Sequence, residues 1–314
     1  MESGFERINA LVIARKRGFW TTGICADYFP KILLMSPNAN KLEQFFYACR
    51  GLLLIFLRRP KILILGTSTK IVSWYSFLRK IGFLKNLKII TDKQYIPEKE
   101  VRYMDKIIVY SPGEIEQYSD DLKNKFIFLH YPSKTELVSV QKNKISGEYI
   151  FCGGSNMRDH KSFLEAIGGL PVRAVLVTDK PILSEIPSNC QVFGRLPLDE
   201  YISIMAGSSF VVVSLFQSKL PHGHCDISNA LSLGKPVITT RGASADDYIE
   251  EGENGFFVDA GDVAGYRKAI TDLTNDRKLL QEMSSYTKSR IENFSYKTFG
   301  QKLFSLCQRM INRF

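Results

Sequence analysis

Short apolar runs recur along the whole chain at spacings that leave room for a helix between many of them. In the first half they fall at residues 10–14, 31–35, 62–65, 87–91, 106–110 and 126–129. Each is long enough for a buried strand and too short for a buried helix, and helical patterns lie between several of them. A strand that returns parallel to its predecessor needs a helix-sized crossover, so alternation of this kind predicts a parallel sheet covered on both faces.

A second series follows. Strands are predicted at 148–152, 172–178, 210–215 and 237–240, alternating with helices near 161–167, 199–206 and 226–233. From Asp262 onward the pattern is helical, with Leu303, Leu306, Met310 and Ile311 three and four residues apart. The polar segment 138–147 carries Lys142, Lys144 and Ser146 without apolar periodicity and reads as a linker. The expected organisation is therefore an N-terminal α/β domain at 1–147, a C-terminal α/β domain at 148–294, and a final helix at 295–314 that packs back on the first domain. A length of 314 residues suits two such domains.

Charge is unevenly placed. Residues 1–147 hold 24 Lys and Arg against 13 Asp and Glu, a balance of +11, whereas the remainder holds 18 against 19. The basic half is expected to meet an anionic partner, and a membrane surface is favoured. Nucleic acid is not expected, since no basic motif is interleaved with aromatics. Six cysteines are scattered without a C-x-x-C pair, the usage of a reducing cytosol. The four histidines have no cysteine at ligand spacing, so no metal and no cofactor is expected. No apolar run reaches the ~20 residues of a membrane span and no signal peptide is recognised, which predicts a cytoplasmic protein, peripheral on the inner face of the membrane. Residues 45–56, with Phe45, Phe46, Leu52, Leu53, Ile55 and Phe56 before Arg58 and Arg59, are read as a helix turned to the core, with a membrane-lying helix as the alternative.

Ligands of open parallel sheets bind outside the carboxyl ends of the strands, which selects three loops. The first is Gly153-Gly154-Ser155-Asn156-Met157-Arg158-Asp159, where glycines let the backbone approach a phosphate and Arg158 and Lys161 are placed to neutralise a diphosphate. The second contains His222, Gly223, His224, Cys225, Asp226 and Asn229; Asp226 and Asn229 lie one turn apart and can face one ligand, for example two ribose hydroxyls, or Asp226 can serve only its own helix as a cap. The third, Phe193-Gly194-Arg195, could read the edge of a base or be a plain turn.

Two further stretches carry a family resemblance. Asn229-Ala230-Leu231-Ser232-Leu233-Gly234-Lys235-Pro236-Val237-Ile238-Thr239-Thr240 and Glu250-Glu251-Gly252-Glu253-Asn254-Gly255 resemble, in order and spacing, the nucleotide-binding half of retaining GT-B glycosyltransferases, glycosyltransferase family 4 in particular. The family usually carries two glutamates eight residues apart across the second loop. Here Asn229 stands at the later position, and Pro221 or His222 at the earlier. A fainter likeness in the first half rests on 86–92, where Thr91 and Asp92 stand near a functional His of some members, and on 104–111; Thr22-Gly23 could be a reduced N-terminal glycine loop.

The resemblance implies a GT-B architecture: two Rossmann-like domains with parallel sheets facing across a cleft, and C-terminal helices. It implies transfer, with retention, of a hexose or related sugar from a UDP- or GDP-linked donor to a saccharide acceptor. The acceptor is expected to be lipid-linked, in bacterial surface polysaccharide synthesis. Arg158, Lys161 and Asp92 are the catalytic candidates. Gly153, Gly154, Ser155, Arg195, His222, Gly223, His224, Cys225, Asp226 and Asn229 are the donor-binding candidates. A catalytically silent partner subunit and a sugar-nucleotide epimerase of the same fold stay open as alternatives.

Overall fold

The computed structural model describes residues 8–15, 29, 32–36, 38–66, 69–92, 95–141, 145–218, 222–242 and 245–312. The chain divides into two compact units, Met1–Leu129 with Tyr296–Phe314, and His130–Ser295.

The first unit contains strands β1 (Ala10–Arg15), β2 (Ile32–Met35), β3 (Ile62–Gly66), β4 (Lys88–Thr91), β5 (Lys106–Val109) and β6 (Phe126–Phe128) in one sheet of order β2-β1-β3-β4-β5-β6. Every pairing is parallel. Helices α1 (Lys41–Arg58) and α2 (Thr69–Lys80) supply the crossovers after β2 and β3, and single helical turns at Glu98–Val101 and Asp120–Lys123 precede β5 and β6. The apolar runs became strands because their β-branched and leucine side chains fill both faces: Ile62, Leu63, Ile64 and Leu65 have no measurable exposure.

Helix α1 departs from expectation. Only Ala48, Gly51 and Ile55 are buried on it, while Phe45, Phe46, Leu53 and Phe56 are more than half exposed. The side turned to the core is the small-residue side. At Gly51 a Cβ would stand 2.3 Å from the Tyr75 hydroxyl and 2.5 Å from Ile13, so the helix lies too close to its neighbours for a larger residue.

The second unit builds β7 (Ile150–Gly153), β8 (Ala174–Val177), β9 (Cys190–Phe193), β10 (Val211–Val213), β11 (Val237–Thr240) and β12 (Gly255–Val258) into a second all-parallel sheet. Its order is β12-β11-β10-β7-β8-β9. Read from the other edge this is the 3-2-1-4-5-6 order of a doubly wound dinucleotide-type sheet, whose topological switch point falls between β7 and β10. Helices α3 (His160–Ile167), α4 (Leu198–Gly207), α5 (His224–Ser232), α6 (Val263–Asn275) and α7 (Arg277–Ser289) belong to this unit, and α8 (Tyr296–Ile311) to the first.

The boundary falls at Leu129/His130, ahead of the polar segment expected to form it. Hydrogen bonds give the reason. The Tyr131 and Ser133 amides donate to the Tyr248 hydroxyl (2.8 Å) and the Phe294 carbonyl (2.8 Å), and Ser228 donates to the Tyr131 carbonyl (2.6 Å). Residues 130–135 are thereby part of the second unit.

Candidate functional site

The loops leaving β7 and β10 lie at the topological switch point of the second sheet, at the carboxyl ends of its strands, which is where open parallel sheets bind their ligands. The β7 loop turns through Gly154 at φ +98°, a left-handed conformation. A Cβ there would meet Arg158 at 2.7 Å and Asp226 at 2.8 Å, so glycine is required by space as well as by φ. The loop is pinned to the β10 exit: the Asp159 amide donates to the Ser214 carbonyl (3.0 Å) and the Phe216 amide to that of Met157 (3.1 Å). Asp159 then caps α3, accepting from the Ser162 amide.

Helix α5 starts on the other side. Its N-cap is Gly223 in the left-handed region, with no side chain capping the first turn. Such an end presents backbone N–H groups and a positive dipole end to an anion.

Three predicted binding residues are held by the protein itself. The Arg158 guanidinium donates to the carbonyls of Gly153 and Asn156 (both 2.9 Å) and to Asp226, with 6% of its side chain exposed. The other Asp226 oxygen accepts the Tyr201 hydroxyl at 3.0 Å; burial first and the Asp226 carboxylate second push the Tyr201 phenol well above its ordinary range, against the Arg158 charge, which pulls it down. Asn229 is 1% exposed, and its oxygen accepts from the Lys134 amide (2.8 Å) and the Ser133 hydroxyl (3.2 Å). Asp226 and Asn229 therefore do not turn together toward a ribose, and Arg158 is not placed to meet a diphosphate. Arg158 and Asp226 form a neutral buried pair that shapes the β7 loop.

The other candidates are spread over different surroundings. Ser155 is half-buried and accepts weakly from the Asp179 amide (3.5 Å), and Arg195 is exposed at the β9 exit near Asp179. His222 stands 3.4 Å from Asn156 across the gap between the loops. His224, against the Tyr131 ring at 5.0 Å, is lowered to about 4, chiefly by burial and then by Arg158, so it is neutral at pH 7. Burial raises the Cys225 thiol. Lys161 lies 71% exposed on α3, 3.8 Å from Glu165, on the outer surface of that helix. Asp92 belongs to the first unit, one residue past β4, and accepts the Tyr110 hydroxyl at 3.2 Å. Thr22 and Gly23 lie outside the described residues, as does Pro221.

Sequence reasoning missed Lys134. Its positive charge pulls the Cys225 thiol and His224 down, which sets a cation near the uncapped start of α5. Nothing in the local pattern of residues 130–137 announces this; only the long-range bond from the Lys134 amide to Asn229 sets the position. Among the described residues no cluster of three or more His, Cys, Asp or Glu could hold a metal ion.

The fold is that of a GT-B glycosyltransferase, two α/β units each built on a six-stranded parallel sheet. Residues 183–290 match the family model for glycosyl transferases group 1. The chain is 26% identical over 194 residues to the lipopolysaccharide core biosynthesis glycosyltransferase LpsE of Rhizobium meliloti (57% of this chain, 56% of the relative). It is 24% identical over 201 residues to an uncharacterized glycosyltransferase of Methanocaldococcus jannaschii (61% and 56%). The matched regions thus span little more than half of these curated relatives. Among solved structures, a glycosyltransferase from Rickettsia africae superposes with a TM-score of 0.73 at 14% identity, over 99% of this chain and 100% of that one. Anabaena HepE, solved with UDP and glucose, superposes with a TM-score of 0.68 at 13% identity, over 96% and 100%.

Proposed function

We propose that this chain transfers a hexosyl group from a nucleoside diphosphate sugar, UDP-linked by preference, to a hydroxyl of a saccharide acceptor. The bond from the sugar C1 to the diphosphate oxygen breaks, a bond from C1 to the acceptor oxygen forms, and the acceptor proton is released. Retention of configuration follows from the family resemblance. The observation that carries the reading is the pairing of the Gly154 turn with the uncapped start of α5 at the switch point of the second sheet, inside and beside a segment that matches a glycosyltransferase family. Backbone N–H groups and Lys134 would take up the charge growing on the leaving diphosphate, a task that contributes about 3 kcal/mol per donor in comparable sites. The UDP bound in HepE and the polysaccharide role of LpsE support this donor and acceptor class. A lipid-linked acceptor at a membrane, with the basic first half turned to the anionic surface, fits the charge asymmetry.

One observation favours a second reading, a silent partner subunit: the Asn229 oxygen is already filled by Ser133 and Lys134, where the family usually offers a glutamate to ribose. Thermal shift against UDP, GDP, ADP and their sugar conjugates tests both. A ligand at 100 times its Kd stabilises by about 2.7 kcal/mol. A shift with one series together with sugar release to an acceptor supports the transferase; a shift without turnover leaves the silent subunit; no shift with any nucleotide overturns the donor site.

A further inference from the structure

Helix α1 is apolar on two sides. At 100° per residue, Leu42, Phe45, Phe46, Leu53, Phe56 and Leu57 fall within an arc of about 120°, roughly opposite the buried side made by Ala48, Gly51 and Ile55. All six are more than half exposed, from 51% at Phe45 to 68% at Leu57. The face continues onto α2: the Phe45 ring meets Trp74 edge-on at 6.4 Å, and Phe77 and Ile81, three and seven residues further on, are 56% and 52% exposed. Exposed apolar residues scattered singly are normal on a soluble protein; a cluster of this size on one surface is not.

The charge around this face has one sign. From Lys41 to Lys88 the chain carries ten Lys and Arg and a single acid, Glu43, which is engaged in the α1 capping box. Among the described residues, none of Arg50, Arg58, Arg59, Lys70, Lys80 or Lys85 pairs with an acid; the ion pairs of this unit lie at Arg79, Lys88, Arg102 and Lys123. A second copy of the chain would set this basic rim against itself, and like charges across an interface are repelled. An anionic bilayer meets both properties at once, taking the phenylalanine and leucine side chains into the acyl boundary and the Lys and Arg side chains at the phosphates.

We infer that the outer face of α1, extended by Phe77 of α2 and by Ile81 just past its end, is a docking surface for an anionic lipid bilayer. The inference rests on the reading of a membrane as the partner of the basic first unit, and it names the residues that make the contact. The helix lies flat in the interface and does not cross it; no described helix is long and apolar enough to span.

Flotation of the full chain with phosphatidylcholine vesicles, and with vesicles in which about one-third of the lipid is phosphatidylglycerol, tests it. The wild type is expected to float with the anionic vesicles only, and to be released by high salt. Leu53→Glu/Phe56→Glu should lower the bound fraction about tenfold, because two charges then sit at the centre of the apolar arc. Both positions are exposed, so the double variant should keep its melting transition and, if the donor site is as proposed, its nucleotide shift. A wild type that floats with neither vesicle overturns the docking surface. Equal flotation of the double variant and the wild type overturns its assignment to α1, as does a wild-type dimer that the double variant turns into a monomer without change in flotation. Flotation without any nucleotide response upholds the surface while removing the donor site.

Discussion

Arg158 and Tyr201 hold opposite oxygens of the Asp226 carboxylate, the guanidinium donating to one and the phenol hydroxyl to the other at 3.0 Å. The β7 loop, α4 and the first turn of α5 are thereby tied at one point. A carboxylate in the first turn of α5 would repel an anionic ligand if it were unpaired. Paired with Arg158 it is electrically quiet, and the helix end keeps its affinity for anions.

Removal of Arg158 should therefore act through stability. Arg158→Ala leaves a buried carboxylate without its cation, which costs about 3–5 kcal/mol, whereas Arg158→Met/Asp226→Leu removes both charges and should recover most of that. Denaturant unfolding of the two variants measures the difference. Equal stability of Arg158→Ala and wild type, together with weakened nucleotide binding, would return Arg158 to the diphosphate.

Asn229 is tested at its two donors. Asn229→Ala leaves the Lys134 amide without its acceptor, while the Ser133 hydroxyl keeps Thr135 as a partner, and a buried unsatisfied group costs about 1–3 kcal/mol. Amide exchange should rise at residues 131–135 more than elsewhere in the second unit. Unchanged protection in that segment would show that the clamp does not hold it.

Glu114 predicts a pH dependence in the first unit. Burial pushes its carboxyl up to about 7 from an ordinary 4.5, although it accepts from the Tyr110 and Ser111 amides, which pull it down. The folded chain binds this proton more tightly than the unfolded chain. Its contribution is thus complete below pH 4.5 and lost as pH rises through about 7, on the order of 3 kcal/mol for a shift of this size. Stability measured from pH 4.5 to 8 should fall in the wild type relative to Glu114→Gln. Parallel profiles for the two proteins would refute the assignment.

Ten of the twelve described strands could be read from sequence because each is a continuous apolar run, and burial on both faces is what such runs require; the edge strands β9, interrupted by Gln191 and only partly buried, and β12 were not among them. The Gly154 turn was legible for a similar reason, since only glycine takes that φ in so tight a space. The orientation of α1 was not. Hydrophobic periodicity marks large apolar side chains, and here the inward side is made of Ala48 and Gly51 because the helix packs against Tyr75 and Ile13 at backbone distance. The roles of Arg158, Asn229 and Lys134 were equally hidden. Each depends on hydrogen bonds across 68, 95 or 96 residues, which leave no mark in local composition.

The cation of the donor site decides between two lysines. Lys161 was named beside Arg158 from sequence, but its side chain is 71% exposed and pairs along α3 with Glu165, the arrangement of a surface pair of little energetic weight. Lys134 has its main chain fixed by Asn229, and its positive charge acts on Cys225 and His224 at the start of α5. His224, lowered to about 4, adds no charge there at pH 7. A diphosphate bound at this helix end, as proposed, would find Lys134 as its near cation. Lys134→Met should weaken UDP binding about tenfold or more, equivalent to about 1.4 kcal/mol, while Lys161→Met should change it less than about twofold. Calorimetric titration at two salt concentrations checks this, since only the wild type and Lys161→Met should lose affinity steeply as salt rises. If Lys161→Met weakens binding and Lys134→Met does not, the diphosphate lies at the start of α3 instead, along the Gly153–Arg158 loop.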